Sequence, residues 1–105
     1  MTESEVVAEI GRRLAGAAPA GSRVLLFGSR ARGEADTQSD YDILVIEPVV
    51  ASSADESVRL RRTLTELRVP IDVIVVDEDL ARRRSKVRGT MIERALREGR
   101  VLAHT

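Results

Sequence analysis

The chain has 105 residues, 43% hydrophobic and 32% charged, a balance that suits one packed domain over residues 1–105 and excludes a disordered or fibrous chain. Seventeen basic residues cancel seventeen acidic ones, so no global field draws the chain to nucleic acid or anionic lipid, and any anion site must be local. With no cysteine and a single histidine, His104, the chain has no disulfide, no thiol nucleophile and no Cys-containing zinc site, and histidine-based triads are not expected.

From Ser4 to about Ala17 the apolar residues Val6, Val7, Ile10 and Leu14 recur at helical steps, with Ser4 as the expected N-cap. Gly16, Pro19 and Gly21 break that pattern, and the apolar run Arg23-Val24-Leu25-Leu26-Phe27 reads as a buried strand ended by Gly28. A polar loop leads to a second strand, Asp40-Tyr41-Asp42-Ile43-Leu44-Val45-Ile46, stopped by Pro48. Ser52 or Ser53 then opens a helix with Val58, Leu60, Leu64 and Leu67 on one face, ending before Pro70. Ile71-Asp72-Val73-Ile74-Val75-Val76 is the third strand. A further helical stretch begins at Asp77 to Leu80, with Asp77 and Asp79 as capping candidates, and breaks near Gly89. It resumes with Met91, Ile92, Ala95 and Leu96 up to Gly99. The tail Val101-Leu102-Ala103 is short and apolar, and His104 is expected to be exposed or disordered. The order predicts an α/β (α+β) fold, a small sheet with helices packed on it.

No apolar run approaches the roughly 18 residues that cross a bilayer. The acidic start Met-Thr-Glu-Ser-Glu lacks the basic region of a signal peptide, so no membrane association and a cytoplasmic location are expected. Phe27 and Tyr41 are the only aromatics, too few for the stacking platforms of single-strand binders. The run Arg82-Arg83-Arg84-Ser85-Lys86 reads as a solvated helix face before it reads as a partner contact.

Three aspartates conflict with their surroundings. Asp is disfavoured in strands, yet Asp40, Asp42 and Asp72 each lie in or at the start of a strongly β run. Alternation points Asp40 and Asp42 the same way, with Cα atoms about 6.5–7 Å apart. Asp72 joins them on that face if the third strand lies beside the second. Three converging carboxylates repel, and a divalent cation with a preference for hard oxygen ligands, Mg²⁺, removes the conflict. Two such ions would stabilise both oxygens of a phosphoryl-type displacement. Taken alone, the Asp-x-Asp pair reads equally as a strand-start cap or turn. Gly28-Ser29 directly follows the first strand, and a helical turn through Arg30-Ala31-Arg32-Gly33 would place N–H groups, a hydroxyl and the Arg30 and Arg32 guanidinium groups where phosphates bind. A bare Gly-Ser after a strand is only a turn.

Together, Gly28-Ser29-Arg30-Ala31-Arg32-Gly33, Ser39-Asp40-Tyr41-Asp42-Ile43-Leu44-Val45 and Ile71-Asp72-Val73-Ile74-Val75 resemble the nucleotidyltransferase domain of the DNA polymerase beta superfamily. The chain looks in particular like the minimal nucleotidyltransferases, small antitoxins usually paired with a HEPN-domain toxin. The resemblance runs from about Val24 to Leu102, and Ala103 stands where relatives often carry an aromatic. It implies a polymerase beta-like fold with a small mixed sheet, Gly28 and Ser29 on the nucleotide's phosphates, Asp40, Asp42 and Asp72 as ligands of Mg²⁺, and Asp72 as base for the acceptor hydroxyl. It also implies ATP or another NTP as donor and a HEPN-type toxin as the partner carrying that hydroxyl. Two other readings stay open: an antitoxin that neutralises by masking, and an aminoglycoside-type small-molecule nucleotidyltransferase, whose members carry a second domain.

Overall fold

A computed structural model describes residues 1–105, beginning with helix α1, Glu3–Ala17. Its N-cap is Thr2 rather than Ser4. Thr2 Oγ1 accepts from the Glu5 amide at 3.1 Å, and Glu5 Oε1 accepts from the Thr2 amide at 2.8 Å. Ser4 has Val7 three residues on, with no carboxylate to return such a bond, so the helix starts earlier.

Strand β1 (Arg23–Phe27) passes through Gly28 into one helical turn, α2 (Ser29–Arg32), and a loop leads to β2 (Tyr41–Glu47). Helix α3 (Ser53–Arg62) is capped by Ser52 Oγ on the Asp55 amide at 3.2 Å, and a 3₁₀ turn, Thr65–Leu67, precedes β3 (Ile71–Asp77). Helices α4 (Glu78–Arg84) and α5 (Met91–Glu98) are separated by a segment containing Gly89 at φ 86°. Asp77 caps α4 by accepting from the Leu80 amide at 2.8 Å, whereas Asp79 pairs with Arg82 and Arg83. None of these helices is long and apolar enough to cross a membrane.

Two elements depart from their expected form. The helix predicted to carry Val58, Leu60, Leu64 and Leu67 stops at Arg62. Thr63 Oγ1 donates to the Leu60 carbonyl at 2.7 Å and Arg68 takes a left-handed φ of 55°, so Leu60 and Leu64 are enclosed while Val58 is 39% exposed. The apolar tail is a fourth strand, β4 (Arg100–His104), antiparallel to β1, and it places His104 in order opposite Arg23. Its side chains do not alternate cleanly, and the free edge of β1 is what makes it a strand.

The sheet order is β3-β2-β1-β4, with β2 parallel to β3 and β1 antiparallel to both β2 and β4. Helices α1 and α3 pack Val6, Ile10, Leu14 and Leu60 onto one face, against Val24, Leu26, Ile43 and Val45. Helices α4 and α5 pack Ala81, Ile92 and Ala95 onto the other, against Leu25, Leu44, Ile46 and Val76. Covered on both sides, β2 reads as a nearly continuous apolar run, and each Ile or Leu it buries contributes about 1.5–3 kcal/mol. Alternation along β2 turns Tyr41, Ile43 and Val45 toward α1 and α3, and Asp42, Leu44 and Ile46 toward α4 and α5.

Glu47 ends β2 with 2% of its surface exposed, and its Oε2 has no hydrogen-bond partner. Burial, and after it the neighbouring Glu56 carboxylate, pushes the Glu47 carboxyl up to about 7, while the Arg59 guanidinium holds Glu56 down at about 2. The folded state therefore holds the Glu47 proton more tightly than the unfolded chain, whose value is 4.5. The resulting cost is absent below that value, grows as pH rises and levels off above about 7. Glu47→Gln is expected to raise stability at pH 8 by about 1–3 kcal/mol and to leave it nearly unchanged at pH 4.5. Urea midpoints at the two pH values test this. Equal midpoint changes at both would place the titration elsewhere.

Candidate active site

The parallel register of β2 and β3 sets Asp42 directly beside Asp72, on strands roughly 4.8 Å apart, and on the face toward α4 and α5. Asp40 lies one residue ahead of β2. Asp40 and Asp72 are exposed, and Asp42 is half-buried. Burial pushes the Asp42 carboxyl above the usual range, the charges of Asp72 and then Asp40 push it further, and Arg32 pulls it down. Asp42 thus feels both other aspartates, yet the three side chains are not gathered closely enough in this structure to form a metal-holding group. None of the three takes part in an ion pair. Unpaired, hard-oxygen, mutually repelling carboxylates on neighbouring strands are a donor set that fits Mg²⁺ whose remaining ligands are water and phosphate. Asp40, Asp42 and Asp72 are the residues that would hold it.

Gly28 joins β1 to α2 with φ 75° and ψ −157°, a region open essentially to glycine alone. A Cβ at this position would collide with Asp42 Oδ2 and lie 3.2 Å from the Asp42 carboxyl carbon. A side chain there would be strained by the backbone and would force the Asp42 carboxylate to move. Beside this turn lies a cleft of about 390 Å³ lined by Phe27, Gly28, Ser29, Arg32, Asp42, Met91, Arg94 and Glu98, a volume in the range of small-molecule sites. Arg32 reaches Glu34 at 3.2 Å and Glu98 at 3.4 Å. Arg94 is exposed on α5 and has no acidic partner.

Of the two arginines expected at the nucleotide, the structure brings only Arg32 to this cleft. Residues two apart on one helical turn differ by about 200° in direction, so Arg30 points away from Arg32. Its guanidinium lies 4.0 Å from the centre of the Tyr41 ring and within 3.5 Å of Glu3. It borders a separate cavity of about 380 Å³, with Glu3, Tyr41 and Pro70, which none of the three aspartates lines. Conversely, Phe27, Met91, Arg94 and Glu98 line the aspartate cleft without any mark in the sequence. Arg94 and Glu98 stand four apart on α5 and read there as an ordinary solvated face.

A family model described as "nucleotidyltransferase domain" matches residues 6–102. No curated protein matches the chain in sequence. Among solved structures, the fold is similar to that of a protein from Sulfolobus solfataricus assigned as a nucleotidyltransferase, at 27% identity and a TM-score of 0.62, over 92% of this chain and 76% of that one. It is also similar to a chain in a crystal structure described as a toxin-antitoxin with AMP-PNP, at 21% identity and a TM-score of 0.66, over 94% of this chain and 73% of that one. The family match takes in the Gly28 turn, the three aspartates and both cleft arginines, and the chain belongs to the nucleotidyltransferase domain family.

Proposed function

We propose that the chain transfers a nucleoside monophosphate, AMP from ATP, to a side-chain hydroxyl of a partner protein, as the antitoxin of a HEPN-type toxin pair. The observation that carries this reading is that Asp42 meets the side-chain-free Gly28 turn, Arg32 and Arg94 at one cleft, with the unpaired Asp72 in register beside it on β3. The two guanidinium groups supply planar N–H donors for phosphate oxygens, and Gly28 lets the triphosphate lie close to the backbone. Ser29 adds a hydroxyl at the same turn. Mg²⁺ held by Asp40, Asp42 and Asp72 would neutralise charge developing on the α-phosphate and on the leaving oxygen.

Asp72 accepts the proton of the attacking hydroxyl. The hydroxyl oxygen bonds to the α-phosphorus, the bond from that phosphorus to the bridging oxygen breaks, and pyrophosphate leaves. Asp40 and Asp72 are exposed and lie outside the lining of the cleft, so an acceptor carried on a large molecule can approach them directly. ATP is favoured as donor, and a toxin as partner, because the family resembled in sequence pairs with such toxins and because the similar toxin-antitoxin structure was solved with AMP-PNP.

Mass spectrometry of the partner, co-expressed with wild type and with Asp72→Asn, tests the reading. The expected result is a mass increase of one or more AMP units with wild type and none with Asp72→Asn. A partner silenced but unmodified by both versions would establish a masking antitoxin instead.

A further inference from the structure

The loop between α2 and β2 carries Asp40, and besides its own Asp36 and Ser39 side chains its backbone is held by the Arg30 guanidinium, which reaches it from α2. Arg30 Nε and Nη2 donate to the Ser39 carbonyl at 3.1 and 2.7 Å, and Nη2 donates to the Asp36 carbonyl at 3.2 Å. The same guanidinium lies 4.0 Å from the centre of the Tyr41 ring and pairs with Glu3 of α1 at 3.5 Å. Its side chain is 8% exposed. Both chain neighbours of Asp40 are therefore anchored by Arg30, Ser39 through its carbonyl and Tyr41 through its ring. Tyr41 also donates its amide to the Pro70 carbonyl at 2.9 Å, which ties the start of β2 to the segment that delivers Asp72.

We propose that Arg30 is a positioning residue that clamps residues 36–41 and so presents Asp40 to the metal, without touching the nucleotide. This rests on the functional reading above. A guanidinium suits the task because its planar fork serves two carbonyls and a ring face at once, which an ammonium cannot do. Without the fork the loop keeps only the internal hydrogen bonds of Asp36, Gln38 and Ser39, none of which reaches Asp40, and a carboxylate that must be ordered before binding binds more weakly.

The test compares Arg30→Met and Arg30→Lys with wild type, in the full chain. Without ligand, amides of residues 36–41 are expected to exchange about tenfold faster in Arg30→Met, as expected from losing a hydrogen bond to a charged donor, with partial recovery in Arg30→Lys. With a non-hydrolysable ATP analogue present, Mn²⁺ affinity is expected to fall about tenfold in Arg30→Met and less in Arg30→Lys, while affinity for the analogue without metal stays the same. Unchanged exchange over 36–41 would overturn the clamp. An equal fall in analogue affinity without metal would overturn it too, by making Arg30 a direct nucleotide contact. If Arg30→Met does not fold, Arg30→Lys decides, because it keeps the charge beside Glu3 and loses only the fork. A wild-type protein that binds neither Mn²⁺ nor the analogue would overturn the functional reading, and the exchange rates would still decide the clamp.

Discussion

Asp42→Asn is expected to reduce nucleotidyl transfer about 10³-fold or more, which corresponds to roughly 4 kcal/mol of barrier. Asp42 is the aspartate that both faces the cleft and stands in register with Asp72, so it links the nucleotide side of the site to the acceptor side. Asn keeps its shape and removes its charge. The same change relieves a half-buried carboxylate whose ionisation is opposed by burial and by its two aspartate neighbours. Activity and stability should therefore move in opposite directions, with the melting temperature equal to or above that of wild type. The measurements are incorporation of labelled AMP into the partner and a thermal melt. A variant that keeps a tenth of wild-type activity would remove Asp42 from the site. A variant that loses activity by unfolding would show a lowered melting temperature instead.

Gly28→Val is expected to abolish detectable nucleotide binding, a loss of at least about 100-fold, through two effects at one atom. The positive φ of 75° strains any L residue by about 1–3 kcal/mol, and the added Cβ is driven onto the Asp42 carboxylate. The branched side chain also occupies the surface on which the triphosphate would lie. Gly28→Ala carries the strain and the clash with less bulk, so its affinity should fall between those of wild type and Gly28→Val. Circular dichroism checks the fold and calorimetry with Mg²⁺ and ATP reads the binding. A folded Gly28→Val protein with wild-type affinity would move the phosphate cradle elsewhere.

Strands β1, β2 and β3 and the candidate aspartates stood out in the sequence because both depend on local pattern. Buried strands announce themselves as apolar runs, and a carboxylate inside such a run stands out against it, as Asp42 and Asp72 do. The break near Gly89 and the Ser52 cap were equally local. Asp40, Asp42 and Asp72 needed one further condition, that the third strand lie beside the second, and the Asp42 and Asp72 register meets it.

What the tertiary structure alone decided involves contacts between segments far apart in the chain. Strand β4 exists because β1 has a free edge, and nothing within Arg100–His104 specifies that pairing. The division of labour between Arg30 and Arg32 followed from the rotation of a single helical turn, which sent one toward Tyr41 and Glu3 and the other toward Asp42. Arg94 and Glu98 became cleft residues only when α5 packed beside β1, because on an isolated helix their polar face is indistinguishable from any other. Local motifs thus marked the candidate residues, whereas the direction of each long side chain depended on packing, since one rotation of about 100° per residue decides which surface it meets.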